Sequence, residues 1–357
     1  MKKIRIRLST FLVFTCVTGV LAGLVVRRSH LQHKSREELV RSGFSLAFDP
    51  ASKTGEPISL GFGGSYTPKD KPIGSYLDQP DQVSWLTAIG LGEFDNPIEL
   101  VDGSRNRLDH KAFPGFVDSD LGPLKNLPAV KELRICWNSI SDQGLKHISG
   151  LSSLRCLELD GCPIGDEGLK HLSNIKNLER LSLAQTDITD AGIKHLVRLK
   201  RIKYLNLEGN RLSGPAIRWA SSLPELQTLN LSRTDVDQTM VSNLKKLDLL
   251  TELYLSETDV SSLNDVLPKL QTLNWLELNG TKIGDDTISA LRGKRLSGLC
   301  VEDTQVTSAA FDAISNLEGL EYFEGYGSGL SYDEIELIEK EIEIRQSKNK
   351  VPSKNGT

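Results

Sequence analysis

The chain has 357 residues, 38% of them hydrophobic and 25% charged, a composition that supports a globular fold and excludes wholesale disorder. Aromatic residues are only 6%, which argues against a carbohydrate-sandwiching core. Residues 1–41 carry nine Lys or Arg against Glu37 and Glu38, so against a net charge of −4 the remaining chain holds −11, and so acidic a body excludes nucleic acid as its partner.

The first predicted element is one hydrophobic helix. Leu8 to Val26 is a run of nineteen residues without a charge, about 28 Å long as a helix and close to the thickness of a bilayer's hydrocarbon core. Lys2, Lys3, Arg5 and Arg7 precede it, and Arg27 and Arg28 close it. A cleaved signal peptide is the rival reading, with Val20-Leu21-Ala22 as the cleavage site, but the apolar run continues past it. The expectation is therefore a single-pass anchor over residues 1–33 with the repeat domain outside the cytoplasm; secretion after cleavage is the alternative.

Residues 34–82 are rich in Gly, Pro, Ser and Lys and read as a linker holding at most one hairpin. Residues 83–129 read as an N-terminal cap. Within it Pro97 to Val101 supplies the strand of a degenerate repeat, Asp102 to Phe116 an insertion, and Asp118 to Leu127 a helical segment.

From residue 130 the chain repeats itself. VKELRICWNSI from Val130, LRCLELDGCPI from Leu154, LERLSLAQTDI from Leu178 and IKYLNLEGNRL from Ile202 share one register. LQTLNLSRTDV from Leu226, LTELYLSETDV from Leu250, LNWLELNGTKI from Leu273, LSGLCVEDTQV from Leu296 and LEYFEGYGSGL from Leu320 continue it, in steps of 24 residues with two of 23. The LxL run predicts a short strand with its leucines inward. Segments such as DEGLKHLSNIKN from Asp166 predict a helix opened by an acidic residue. One such unit cannot hide its apolar face alone, so units must stack, strand beside strand. The ninth position of each register is Asn138, Cys162, Thr186, Asn210, Thr234, Thr258, Thr281, Thr304 or Ser328, small polar groups suited to buried backbone at a turn. Ser331 to Gln346 predicts a closing helix with Ile335, Ile338 and Ile342 on one face, and residues 347–357 a disordered tail.

This pattern resembles the leucine-rich repeat family, and is similar to the cysteine-containing type found in F-box adaptors and many bacterial repeat proteins. The resemblance covers residues 118–330 and implies an α/β solenoid, a horseshoe with a parallel concave sheet and convex helices. It departs from the adaptors in favouring Thr at the ninth position, and no F-box-like segment precedes the repeats. Protein–protein recognition is the function the family implies, although fold alone names no ligand.

Sites of chemistry are few. His147, His171 and His195 recur at repeat spacing, each after a lysine, but no carboxylate recurs beside them to orient a metal ligand, and a solvated outer face accounts for them. Five cysteines at 16, 136, 156, 162 and 300 fit neither a disulfide framework nor a zinc site; Cys136 and Cys156 fall about 13 Å apart, and Cys162 reads as a core filler. Asp102, Ser104, Asp109 and His110 are triad residue types without a nucleophile-elbow context. No catalytic residue, metal or cofactor is expected. Asn230, Asn279 and Asn355 begin glycosylation sequons.

The outward positions of the strands say more. Glu158, Asp160, Glu208, Glu252, Glu257, Glu277, Glu302, Asp303 and Glu324 outnumber Arg134, Arg180 and Arg233, and Tyr204, Tyr254, Trp275, Tyr322 and Tyr326 share the same columns. Rigid aromatics amid acids mark a protein interface for a basic partner. The expected site is Tyr204, Glu208, Glu252, Tyr254, Glu257, Trp275, Glu277, Asn279, Glu302, Asp303, Tyr322, Glu324 and Tyr326. The expected function is a membrane-anchored, non-catalytic binding scaffold. A substrate-recognition adaptor of a ligase or other enzyme complex is the alternative.

Overall fold

The computed structural model describes residue 34 and residues 45–48, 98–102 and 116–349. The hydrophobic run at 8–26, most of the 34–82 segment, residues 103–115 and the end of the chain lie outside the described residues, as do Cys16, Ser104, Asp109, His110 and Asn355.

Among the described residues eleven strands form one sheet in sequence order. They are β1 (Ser45–Phe48), β2 (Ile98–Asp102), β3 (Glu132–Arg134), β4 (Cys156–Glu158), β5 (Arg180–Ser182) and β6 (Tyr204–Asn206), then β7 (Thr228–Asn230), β8 (Glu252–Tyr254), β9 (Trp275–Glu277), β10 (Gly298–Cys300) and β11 (Tyr322–Glu324). From β2 to β11 every neighbour is parallel, and first residue faces first residue throughout β3 to β11. The strand expected at 97–101 is β2, which pairs with β3 one repeat ahead of the first full register. Beyond it β1, inside the segment read as linker, pairs antiparallel with β2 at the end of the sheet.

The inward leucines make the core. Leu133, Leu157, Leu181, Leu205, Leu229, Leu253, Leu276 and Leu299 are fully buried at the centre of their strands, and the next inward column runs from Ile135 through Leu207 to Val301. Each stack buries its leucines against its neighbours, so the apolar effect acts along the arc and no repeat is stable alone.

The convex side is less helical than its sequence suggests. Its α-helices are α1 (Asp166–Leu172), α2 (Asp190–Ile193), α3 (Gly214–Ala220), α4 (Asp285–Ser289) and α5 (Phe311–Ser315), while Asp118–Asn126, Gly144–His147, Val241–Lys246, Leu267–Lys269 and other connections are 3-10. A period of 23 or 24 residues, less a strand and two turns, leaves room for one or two helical turns. The chain closes with α6 (Tyr332–Asn349), longer than expected, whose Ile335, Ile338 and Ile342 cover the last repeat. Arg345 reinforces this lid by donating to the Leu317 carbonyl at 3.0 Å.

Two polar ladders fix the spacing between repeats. At the ninth position Thr234, Thr258, Thr281 and Thr304 each donate to the carbonyl three residues back, at 2.6 to 2.7 Å, which satisfies strand ends that water cannot reach. Cys162 does the same work with Sγ 3.2 Å from the Ile135 carbonyl; burial pushes its thiol up to about 12.

The second ladder corrects the role expected of the acidic residue that opens each helix. Asp166 does not cap its own helix, whose N-cap Gly165 makes no side-chain bond. It reaches across to the next repeat, where the Thr189 backbone N–H and hydroxyl both donate to it at 2.8 Å. Asp118 holds Ser141, Asp190 holds Ser213 and Asp285 holds Thr307 in the same way, and Asp142 accepts from the Gly165 N–H alone. The carboxylate passes so close to the following repeat that a Cβ on Gly192 would lie 2.3 Å from Asp166 Oδ1, which explains the recurring glycine in the GLKHL-type segments. Asp166→Ala should therefore cost about 1–3 kcal/mol by leaving both Thr189 donors unpaired, and urea unfolding of wild type and variant measures it.

Candidate functional site

Each strand presents its first and third residues on the concave wall, and the fifth position follows before the chain turns away. Tyr204, Glu252, Trp275 and Tyr322 begin strands; Tyr254, Glu277 and Glu324 end them; Glu208, Asn279, Glu302 and Tyr326 occupy the fifth position. Glu257 and Asp303 sit one residue further, at left-handed turns with φ of 54° and 51°.

Contacts divide this expected set in two. In the N-terminal half the three arginines are spent on neighbouring acids. Arg134 pairs with Glu132 at 2.7 Å, Arg180 with Glu158 at 3.1 Å, and Arg233 with Glu257 at 2.7 Å and Glu208 at 3.5 Å. The guanidinium carbon of Arg180 lies 3.4 Å from the centroid of the Tyr204 ring, so Tyr204, Glu208 and Glu257 already have partners within the wall. Asp160 accepts from the Ser182 hydroxyl and the Ala184 N–H, and burial still pushes its carboxyl up. Within β8, Tyr254 donates to Glu252 at 3.2 Å.

The C-terminal half is organised around rings. Trp275 and Tyr322, two strands apart, stack with centroids 5.4 Å apart and planes 22° from parallel. They meet because Gly298 stands between them in register and has no side chain; a Cβ there would lie 2.2 Å from the Trp275 ring. Tyr322 donates to Glu324, and Tyr326 lies 6.1 Å from the Tyr332 ring at the start of α6, continuing the aromatic strip to the end of the solenoid. Tyr322 and Tyr326 are 43% and 44% exposed, too open to be core packing.

The acids beside these rings form no ion pair among the described residues, although the charge of Arg233 reaches Glu277. Among the described residues no Lys or Arg pairs with Glu277, Glu302, Asp303 or Glu324. Burial first, then the charge of Glu324, pushes the Glu277 and Glu302 carboxyls above the ordinary range; a bond from the Ser256 hydroxyl at 2.7 Å offsets part of this at Glu277. The folded chain thus binds the Glu277 proton more tightly than the unfolded chain, and this carboxylate opposes folding increasingly as pH rises above its ordinary 4.5. Glu277→Gln should accordingly melt higher than wild type at pH 7 and no higher at pH 4, a comparison that thermal unfolding at the two pH values makes directly.

Sequence reasoning missed three members of this half. Gly298 was legible as a glycine at a position where other repeats carry a side chain. Cys300, buried between Glu277 and Glu324, announces itself only through strand register. Tyr332 belongs to the capping helix, and no repeat pattern points to it. On the convex side His147, His171 and His195 are half-buried and form no metal-binding group; none is present among the described residues. Asn230 and Asn279, which begin two sequons, both face the wall, where Asn279 accepts from the Glu302 N–H at 2.8 Å.

The repeat register is matched independently by two family models, both described as leucine-rich repeat, over residues 176–236 and 150–173. The chain carries leucine-rich repeats. No curated protein sequence matches this leucine-rich repeat chain. Among solved structures it is similar to internalin C2 of Listeria monocytogenes, at 19% identity and a TM-score of 0.45 over 64% of this chain and 80% of that one. A TDR receptor is similar at 19% and 0.46, over 62% and 40% of the two chains. The plant peptide hormone receptor RGFR1, in complex with RGF2, is similar at 18% and 0.39, over 60% and 42%. The leucine-rich repeats thus span about two-fifths of either receptor chain.

Proposed function

We propose that this leucine-rich repeat protein is a non-catalytic scaffold that holds a protein partner on the C-terminal half of its concave wall. The observation that carries the proposal is the stacked Trp275–Tyr322 pair, half-buried and exposed respectively, on the wall among carboxylates that form no ion pair among the described residues. Preformed aromatic rings add contact area at small entropic cost, and surrounding charge selects the sign of the partner. The site is Trp275, Glu277, Asn279, Glu302, Asp303, Tyr322, Glu324 and Tyr326, with Glu252 and Tyr254 at its edge. Tyr204, Glu208 and Glu257 support it by keeping their own partners in place.

The uncharged run at 8–26, with basic residues on both sides, supports reading the scaffold as a single-pass membrane protein. Among the described residues no helix is long and apolar enough to cross a membrane. The full chain should sediment with membranes and resist carbonate extraction; a soluble mature chain beginning near residue 23 would overturn the anchor.

Affinity capture from solubilised membranes, with the full chain as bait, tests the binding face. Wild type and the convex variant Lys170→Ala/His171→Ala should retain the same partner, and Tyr322→Ala should lose it. Loss in the convex variant with retention by Tyr322→Ala would move the site to the helical side.

A further inference from the structure

The concave wall contains one completed example of how it holds a guanidinium. Arg180 begins β5, its guanidinium carbon lies 3.4 Å from the ring centroid of Tyr204 at the start of β6, and its Nε donates to Glu158 at the end of β4 at 3.1 Å. A ring at the first position of one strand, arginine at the first position of the strand before, and a carboxylate at the third position of the strand before that make up the unit.

The same three places recur at the other end of the sheet. Tyr322 begins β11 as Tyr204 begins β6, and Glu277 ends β9 as Glu158 ends β4. The middle place, where Arg180 stands, is Gly298. Ring and carboxylate are present without the cation that joins them in the first unit. Trp275 adds a second ring beside Tyr322, and Glu324 a second carboxylate.

We propose that the partner supplies the missing cation: an arginine side chain of the bound protein segment lays its guanidinium on the solvent side of the Trp275–Tyr322 stack, whose indole itself covers Gly298, and donates to Glu277 and Glu324. This inference rests on the concave-wall reading. Arginine fits better than lysine because its cation is flat, stacks on a ring and donates in its own plane, whereas an ammonium is a compact, strongly hydrated charge. Glu277 and Glu302, whose carboxyls burial pushes up, are the groups that a cation would relieve most.

An immobilised array of random 12-residue peptides, probed with the purified full chain, tests this. Retained peptides should be enriched in arginine over the array as a whole. In the strongest binder, arginine→citrulline should weaken binding about tenfold and arginine→lysine several-fold. Tyr322→Ala, first checked to melt as a folded protein, should erase the enrichment, Glu277→Gln should reduce it without erasing it, and Lys170→Ala/His171→Ala should keep it. Retained peptides that depend on Trp275 yet show no preference for arginine over lysine would overturn the arginine assignment and leave the concave site standing. Binding indifferent to both Trp275→Ala and Tyr322→Ala would overturn the concave site itself, and an array from which the full chain retains nothing overturns the arginine assignment as well.

Discussion

Leu205→Asp should unfold the middle of the arc. Leu205 is fully buried at the centre of β6, between Leu181 and Leu229, which are equally buried. A carboxylate there has no donor within the apolar column, and an unpaired polar group in such surroundings costs several kcal/mol, about half of what an ordinary domain possesses. Because each repeat touches only its neighbours, the loss should be local at first. Amide exchange in the variant should be fast from about residue 178 to residue 250 and slower toward both ends. A variant that melts and exchanges like wild type would show that this column does not face inward.

Trp275→Ala should weaken capture of the partner by about 2 kcal/mol or more, roughly 30-fold in Kd, with most of the change in the dissociation rate. The indole supplies area that is already positioned: it rests over Gly298 and stacks on Tyr322, so binding need not order it. Truncation removes that area and releases Tyr322 from its stack. Glu277→Gln should act differently, weakening capture modestly and more at low salt than at high, because a single carboxylate mainly steers association. A titration of the captured partner against both variants at two salt concentrations separates these effects. Equal loss in the two variants, or none in Trp275→Ala, would contradict the aromatic anchor.

The parts of the fold written in periodic form were legible. A 24-residue register with LxL at its centre fixes which leucines face inward, and the ninth-position Thr, Asn and Cys were readable as turn fillers because a chain turning into a core must pair its carbonyls. What the period does not encode was misread or missed. Asp166 looks like a helix opener in one repeat taken alone; that it holds Thr189 becomes visible only when repeats are stacked 23 residues apart. The convex segments carry helical spacing, but a closed period leaves too few residues for long helices. The acids and aromatics of the site were legible as columns. The division between a half neutralised by Arg180 and Arg233 and a half left uncompensated depends on side-chain reach, which sequence spacing does not give.

The aspartate ladder is unevenly distributed along the arc. It ties four successive seams, through Asp118, Asp142, Asp166 and Asp190, and then stops at Gly214, which has no side chain to extend to the next unit. Later seams use Gln238 on Ser261 and Asp285 on Thr307, so the rungs are no longer consecutive. The side-chain rungs are thus continuous as far as Ser213 and interrupted beyond Gly214, on the part of the arc that carries the stacked rings.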